Sequence, residues 1–160
     1  MLTFEDLKIS DLAELKVIFK SCYEDDNMIH SVRRDGPAGY ADGSLLRDYV
    51  LDSAIISQKV VLDKKIVGCY AIERNLKYNV LKLLCIDPQY KDMGLGREVW
   101  DYIEKFYTKA EKWYVEIPDF SERSKHFYID KCGFHFLRDI IYASGRKNII
   151  LVKTVKKSND

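Results

Sequence analysis

The stretch that most restricts the fold of this chain is Leu83 to Phe106, LLCIDPQYKDMGLGREVWDYIEKF. It starts as an apolar strand, turns at Pro88, passes Gly94 and Gly96, and enters a helix marked by Leu95, Val99, Tyr102, Ile103 and Phe106 at three- and four-residue steps. A strand, a glycine-bearing loop and a helix in that order form a seat for an anion. The first N–H groups of a helix lack intrahelical partners, and the helix dipole adds partial positive charge there. Glycine has no Cβ, so a phosphate can approach the backbone closely at Gly94 and Gly96. Neither the three-glycine dinucleotide fingerprint nor the ATP-binding GxxxxGK[ST] loop is present.

The rest of the composition narrows the class. A chain of 160 residues suits a single domain, 1–160, with a frayed tail over 156–160. Its 26 basic and 25 acidic residues nearly cancel, which argues against nucleic acid or an anionic membrane as the main partner. No apolar run is long enough to span a bilayer, and MLTFEDLKISDL has no apolar segment of signal-peptide type, so a cytoplasmic location is expected. Cys22, Cys69, Cys85 and Cys132 are widely spaced without a CxxC pair, and only three histidines accompany them. Reduced thiols and no metal are the simplest expectation.

In chain order, residues 2–9 read as a short strand, followed by a helix with a Ser10-Asp11 cap and an apolar face from Leu12 to Cys22. That helix is expected to stop within Glu24 to Asn27. A polar loop follows to Gly43, then a short helix from Leu45 to Leu51 capped by Asp42 or Ser44. Residues 57–62 and 66–73 read as a hairpin about Asp63-Lys64-Lys65, and Tyr78 to Ile86 as a central strand. After the helix Leu95–Phe106 come a strand Lys112 to Ile117 and a helix over 119–132. The latter has Asp119 and Glu122 spaced as a capping box and Gly133 as its stop. Phe134–Tyr142 and Asn148–Val155 close the chain as an antiparallel pair.

Two segments carry a family resemblance. Ile86-Asp87-Pro88-Gln89-Tyr90 followed by Lys91-Asp92-Met93-Gly94-Leu95-Gly96 resembles the acyl-CoA-binding signature of the GNAT superfamily of N-acetyltransferases. That signature is V-x-P-x-Y, then [RQ]-x-x-G-x-[GA]; here lysine replaces Arg or Gln, and Asp92 stands where glycine is common. Downstream, Tyr114-Val115-Glu116-Ile117 precedes Phe127-Tyr128 and Gly133-Phe134, in register with the family's second motif, L-E-V then N-x-x-A-x-x-[FL]-Y-x-x-x-G-F. Ser121 replaces the usual Asn, and Ser124 the usual Ala. The resemblance covers about residues 57 to 136 and hardly touches the first fifty. It implies an α/β single-domain GNAT-like fold: a mixed, mostly antiparallel sheet of six to seven strands with about four helices.

The resemblance also implies a chemistry. Acetyl-CoA is the expected co-substrate, and a primary amine on a small molecule, amino acid or peptide attacks its thioester directly. An alkylammonium has a pKa near ~10, so the amine must lose a proton before it is a nucleophile. The oxyanion needs a donor, and the leaving thiolate benefits from a proton. By resemblance, the N–H of Leu84 faces the acetyl carbonyl, Ile86 pairs with pantetheine, and the amides Met93 to Arg97 hold the pyrophosphate. Lys91 adds charge, Asp92 lies beside the phosphates, and Ser121 and Ser124 border the cofactor. Tyr128 matches the general acid, and Glu116 the carboxylate that deprotonates the amine in some members. Each also has a plainer reading, Tyr128 as a core phenol and Glu116 as a solvated strand residue.

Glu73 and Glu24-Asp25-Asp26 are other carboxylates to weigh as the base, and the latter cluster slightly favours a cationic acceptor. His126 and Tyr142 are further cleft candidates. A covalent route through Cys85 or Cys132 lacks an adjacent base in sequence. The rival from another class is a CoA-thioester-binding module with little or no catalysis. A homodimer is compatible with the family and with eleven tyrosines.

Overall fold

The computed structural model describes residues 1–30 and 40–155. Among these, seven strands form one sheet: β1 (Leu2–Asp6), β2 (Ile55–Leu62), β3 (Lys65–Arg74), β4 (Tyr78–Ile86), β5 (Lys112–Pro118), β6 (His135–Ile141) and β7 (Lys147–Thr154). Their spatial order is β1-β2-β3-β4-β5-β7-β6. Only β4 and β5 run parallel, because the connection between them is a crossover through a helix rather than a hairpin. The helices are α1 (Leu12–Ile29), α2 (Ser44–Leu51), α3 (Leu95–Phe106) and α4 (Glu122–Lys125), which continues as a π-helix over His126–Lys131. This is the α/β architecture expected above.

β3 is buried on both faces, and its alternation divides the core in two. Tyr70 and Ile72 face a cluster with Val99, Trp100 and Ile103 of α3 and Trp113 of β5. Cys69 and Ala71 face a second cluster with Leu15, Ile18 and Phe19 of α1 and Leu46 of α2. The helices therefore sit on opposite faces, with α1 and α2 across the sheet from α3.

The register of β4 contains the feature that shapes the site. Leu83 pairs with Ala71 but Leu81 pairs with Ile72, so Lys82 is an extra residue in β4. A regular strand would put Leu81 and Leu83 on one face; this bulge places one in each cluster. Pairing of β4 with β5 runs from Tyr78–Lys112 to Leu81–Val115 and ends there. Beyond the bulge the two parallel strands separate.

Four local expectations need correction. α1 runs to Ile29 rather than stopping near Glu24, because Asp26 is buried there and takes partners from α4. The α4 cap is Ser121, whose Oγ accepts from the N–H of Ser124 at 3.2 Å, in place of an Asp119–Glu122 box. The hairpin β2–β3 turns on Asp63 and Lys64, both at positive φ (49° and 68°), so a two-residue turn forms without glycine. The cysteines are not all free: Cys22 of α1 and Cys85 of β4 form a disulfide with Cα atoms 6.5 Å apart. Nothing in the local pattern announces a pair 63 residues apart. The tail 156–160 and most of the loop before α2 lie outside the described residues.

Candidate active site

The separation of β4 from β5 leaves backbone groups of β4 facing a cleft. Asp87 donates its N–H to the carbonyl of Val67 at 2.7 Å, so at this position β4 bonds towards β3. Amide directions alternate along a strand, and the register from Leu83 to Ile86 is regular. Cys85 and Leu83 therefore also bond to β3, while Leu84 and Ile86 turn their N–H and C=O groups the other way. On that side β5 has already diverged.

The loop that leaves β4 is built for the helix start it precedes. Asp87 caps the turn Pro88–Tyr90, its carboxylate accepting from the N–H of Gln89 at 3.0 Å. Asp92 (φ 65°) and Gly94 (φ 74°) then adopt left-handed backbone, the conformation that favours glycine at both places. The first bond of α3 joins the N–H of Glu98 to the carbonyl of Gly94, so the N–H groups of Leu95, Gly96 and Arg97 precede the helical ladder. A Cβ on Gly94 would meet nothing within 4 Å, leaving the loop open there. Gly96 has another cause: a Cβ would come within 3.3 Å of the Phe127 ring, so its smallness serves helix packing. Met93 is exposed. Lys91 reaches to 3.9 Å from Asp25, and Arg97 is held by Asp101 at 2.8 Å and by the carbonyl of Lys131.

Tyr128 lies on the π-helix, 8% exposed, and packs edge-on against Phe127 and Phe134. Burial holds its phenol above the ordinary tyrosine range, so it stays protonated. It lines a small cavity of about 140 Å³ together with Leu84, Cys85, Glu116 and Ser124. Single-turn π segments occur often at functional positions, where they re-aim one side chain. Ser121 faces neither cavity; it is fully buried, capping α4 and donating to Asp26 Oδ1 at 3.0 Å.

A larger cavity of about 970 Å³ continues from the first, sharing Phe19, Tyr23, Lys82 and Glu116 with it. Glu116 thus stands between them. Tyr142 and Asn148, both from the β6–β7 region, donate to its Oε2 at 2.6 and 2.7 Å, which fixes the carboxylate from one side. That same bond, with burial, raises the Tyr142 phenol.

The other candidates are engaged in other contacts, although Asp26 and Cys85 also line the small cavity. Asp25 and Asp26 are tied to Arg123 at 2.7 and 3.4 Å, and Glu24 pairs with Lys20. The acidic cluster is therefore a junction between α1 and α4. Glu73 accepts from Asn75 at 3.3 Å, and His126 pairs with Asp130 on an exposed helix face. Cys85 is bonded to Cys22, and burial pushes the Cys132 thiol up to about 12, so neither offers a thiolate. Sequence reasoning missed Lys82, Tyr23, Arg146 and Asn148. The one signal available was Lys82, a lysine interrupting an apolar strand.

A splayed parallel pair with outward amides, and a phenol and a carboxylate lining one cleft, are the features of an α/β protein with an open cleft at its sheet. The chain belongs to the acetyltransferase (GNAT) family, whose model matches residues 12–134. An uncharacterised protein of Bacillus subtilis (strain 168), YrkN, is 30% identical over 105 residues, 64% of this chain. The match spans 56% of the length of that curated relative. Among solved structures, a PaiA N-acetyltransferase from Thermoplasma acidophilum in complex with coenzyme A superposes with a TM-score of 0.77 at 15% identity, covering 97% of this chain and 99% of that one. An acetyltransferase from Thermus thermophilus gives 0.74 at 16% identity, with 97% of each chain covered. The ribosomal-protein-S18-alanine N-acetyltransferase of Escherichia coli gives 0.69 at 17%, covering 99% and 98%. At these identities the structural likeness is one of fold.

Proposed function

We propose that this protein transfers an acetyl group from acetyl-CoA to a primary amine by direct attack. The observation that carries this reading is the convergence of Leu84, Tyr128 and Glu116 on one cleft. Coenzyme A in the PaiA complex adds support by analogy of fold. In this mechanism the amides Met93 to Arg97 receive the pyrophosphate, with Lys91 supplying charge nearby. Ile86 pairs with the pantetheine amide, and the Leu84 N–H polarises the acetyl carbonyl. Glu116 takes the ammonium proton, the freed nitrogen attacks the carbonyl carbon, and the C–S bond breaks as the tetrahedral species collapses. Tyr128 gives its proton to the departing thiolate and is reprotonated by the second proton, which the attacking nitrogen sheds on becoming an amide, while Glu116 returns the first to solvent. A covalent cysteine route is set aside on the grounds given above.

Asp92, a carboxylate at the phosphate seat, favours the rival in which the cleft binds the thioester without turning it over. Release of free thiol from acetyl-CoA, dependent on added amine, separates the two. Amine-dependent release supports transfer; tight CoA binding without release under any amine sinks it. We place the protein in the cytoplasm, where acetyl-CoA is made available to such enzymes; among the described residues no helix is long and apolar enough to cross a membrane. Pairing of two copies through the sheet-edge strand β6, where Phe136, Leu137 and Ile141 are exposed, belongs to the same reading and is checked by sedimentation.

A further inference from the structure

The larger cavity carries information about the acceptor that the sequence concealed. The acidic residues of α1, which favoured a cationic acceptor, are engaged with Arg123, Lys91 and Ser121 away from it. Among the described residues lining the cavity, the charged side chains are three cations, Lys82, Arg138 and Arg146, and one carboxylate, Glu116. The cations come from separate elements: Lys82 from the bulge in β4, Arg138 from β6, and Arg146 from the turn before β7. Arg146 lies close enough to Tyr23 and Tyr142 for its charge to act on both phenols, which places it on the same wall as Glu116 and its donor Tyr142. The remaining wall is largely aromatic, with Phe19, Tyr49, Tyr78 and Tyr114.

Such a lining treats the two ends of a ligand differently. An ammonium is drawn to Glu116, while a second ammonium would find, among the described lining residues, only the like charges of Lys82, Arg138 and Arg146. A carboxylate would be met by guanidinium groups, which bind it through paired N–H donors. The geometry points to an acceptor that carries a carboxylate as well as its amine, on an aromatic or apolar body: an amino acid or short peptide rather than a polyamine or other polycation. This inference rests on the acetyl-transfer reading for the role of Glu116, and it adds the charge the acceptor must bear.

Matched probes test it. Phenylalanine and phenethylamine differ by the carboxylate alone, and spermidine represents the polycations. Their binding to the CoA-loaded protein is measured by calorimetry and their turnover by thiol release. Phenylalanine is expected to exceed phenethylamine at least tenfold in affinity and in kcat/KM, with spermidine weakest. The ratio should collapse towards one in Arg146→Gln, and fall in part in Arg138→Gln should the first variant fold poorly. Rising salt should shrink it in the parent protein. Equal or better binding of phenethylamine or spermidine overturns the inference, as does the absence of measurable binding by phenylalanine and a Phe-Leu dipeptide alike. Preferential binding of phenylalanine without thiol release would instead uphold the charge preference and defeat the acetyl-transfer reading.

Discussion

Tyr128 shows how a single side chain answers two demands at once. Its ring belongs to the core cluster with Phe134, Trp100 and Val99, yet it borders the small cavity shared with Leu84 and Glu116. Burial disfavours the phenolate and so raises the pKa above the ordinary value of about 10, which keeps a proton available for a leaving thiolate at neutral pH. Replacement by Phe keeps the ring packing and removes only the hydroxyl. We expect Tyr128→Phe to lower kcat by about a hundredfold or more while leaving the dissociation constant for CoA unchanged. Equal turnover in that variant would remove the acid role. The sign of the pH dependence follows from the raised pKa: the acid is competent below it, so Tyr128 contributes no falling limb to kcat up to about pH 10. A falling limb near neutrality that vanishes in Tyr128→Phe would contradict this.

At the scale of elements, the loop between β4 and α3 is where local strain and ligand chemistry meet. Asp92 holds φ at 65°, a conformation that costs an L-residue about 1 kcal/mol relative to glycine. It also directly precedes in the chain the amides proposed to receive phosphate. Asp92→Gly should therefore stabilise the fold by up to about 1 kcal/mol in chemical denaturation and tighten CoA binding in calorimetry. Weaker binding would show that Asp92 assists the ligand rather than opposing it. The neighbouring glycines divide the work differently from what a phosphate loop alone suggests. Gly94 supplies left-handed backbone with open space around it, whereas Gly96 lets α3 approach Phe127 of the π-helix. One motif thus joins the loop after β4 to the packing of the helix that carries Tyr128.

Across the whole molecule, α1 is bound to the sheet and to α4 by contacts that cross the cleft. Cys22 bonds to Cys85 of β4, and Asp25 and Asp26 reach Arg123 and Ser121 at the start of α4. A disulfide that closes a span of 63 residues restricts the unfolded chain by an amount worth about 4 kcal/mol. Unfolding in denaturant with and without dithiothreitol should show that loss on reduction, and Cys22→Ser should no longer respond to the reductant. Indifference of the parent protein to reduction would mean that the sulfurs are not joined in solution. Since disulfides in cytoplasmic proteins are mostly redox-responsive, the same measurement bears on where the protein works.

The sequence by itself determined what is local along the chain. β4 and α3 begin and end where their hydrophobic periods do, and Gly94 with its loop reads directly from residue type, because each depends on neighbours within a few positions. Tyr128 and Glu116, each singled out by one of two separate stretches of sequence, line one cavity. Tertiary structure decided the rest. The extra residue at Lys82, the meeting of Cys22 with Cys85, the burial of Asp26 against Ser121 95 residues away, and the clasp of Asn148 on Glu116 32 residues away all arise when distant segments pack. Hydrophobic period records which face of an element is buried. It does not record which polar side chains meet across the fold, and the charge lining the larger cavity is of that second kind.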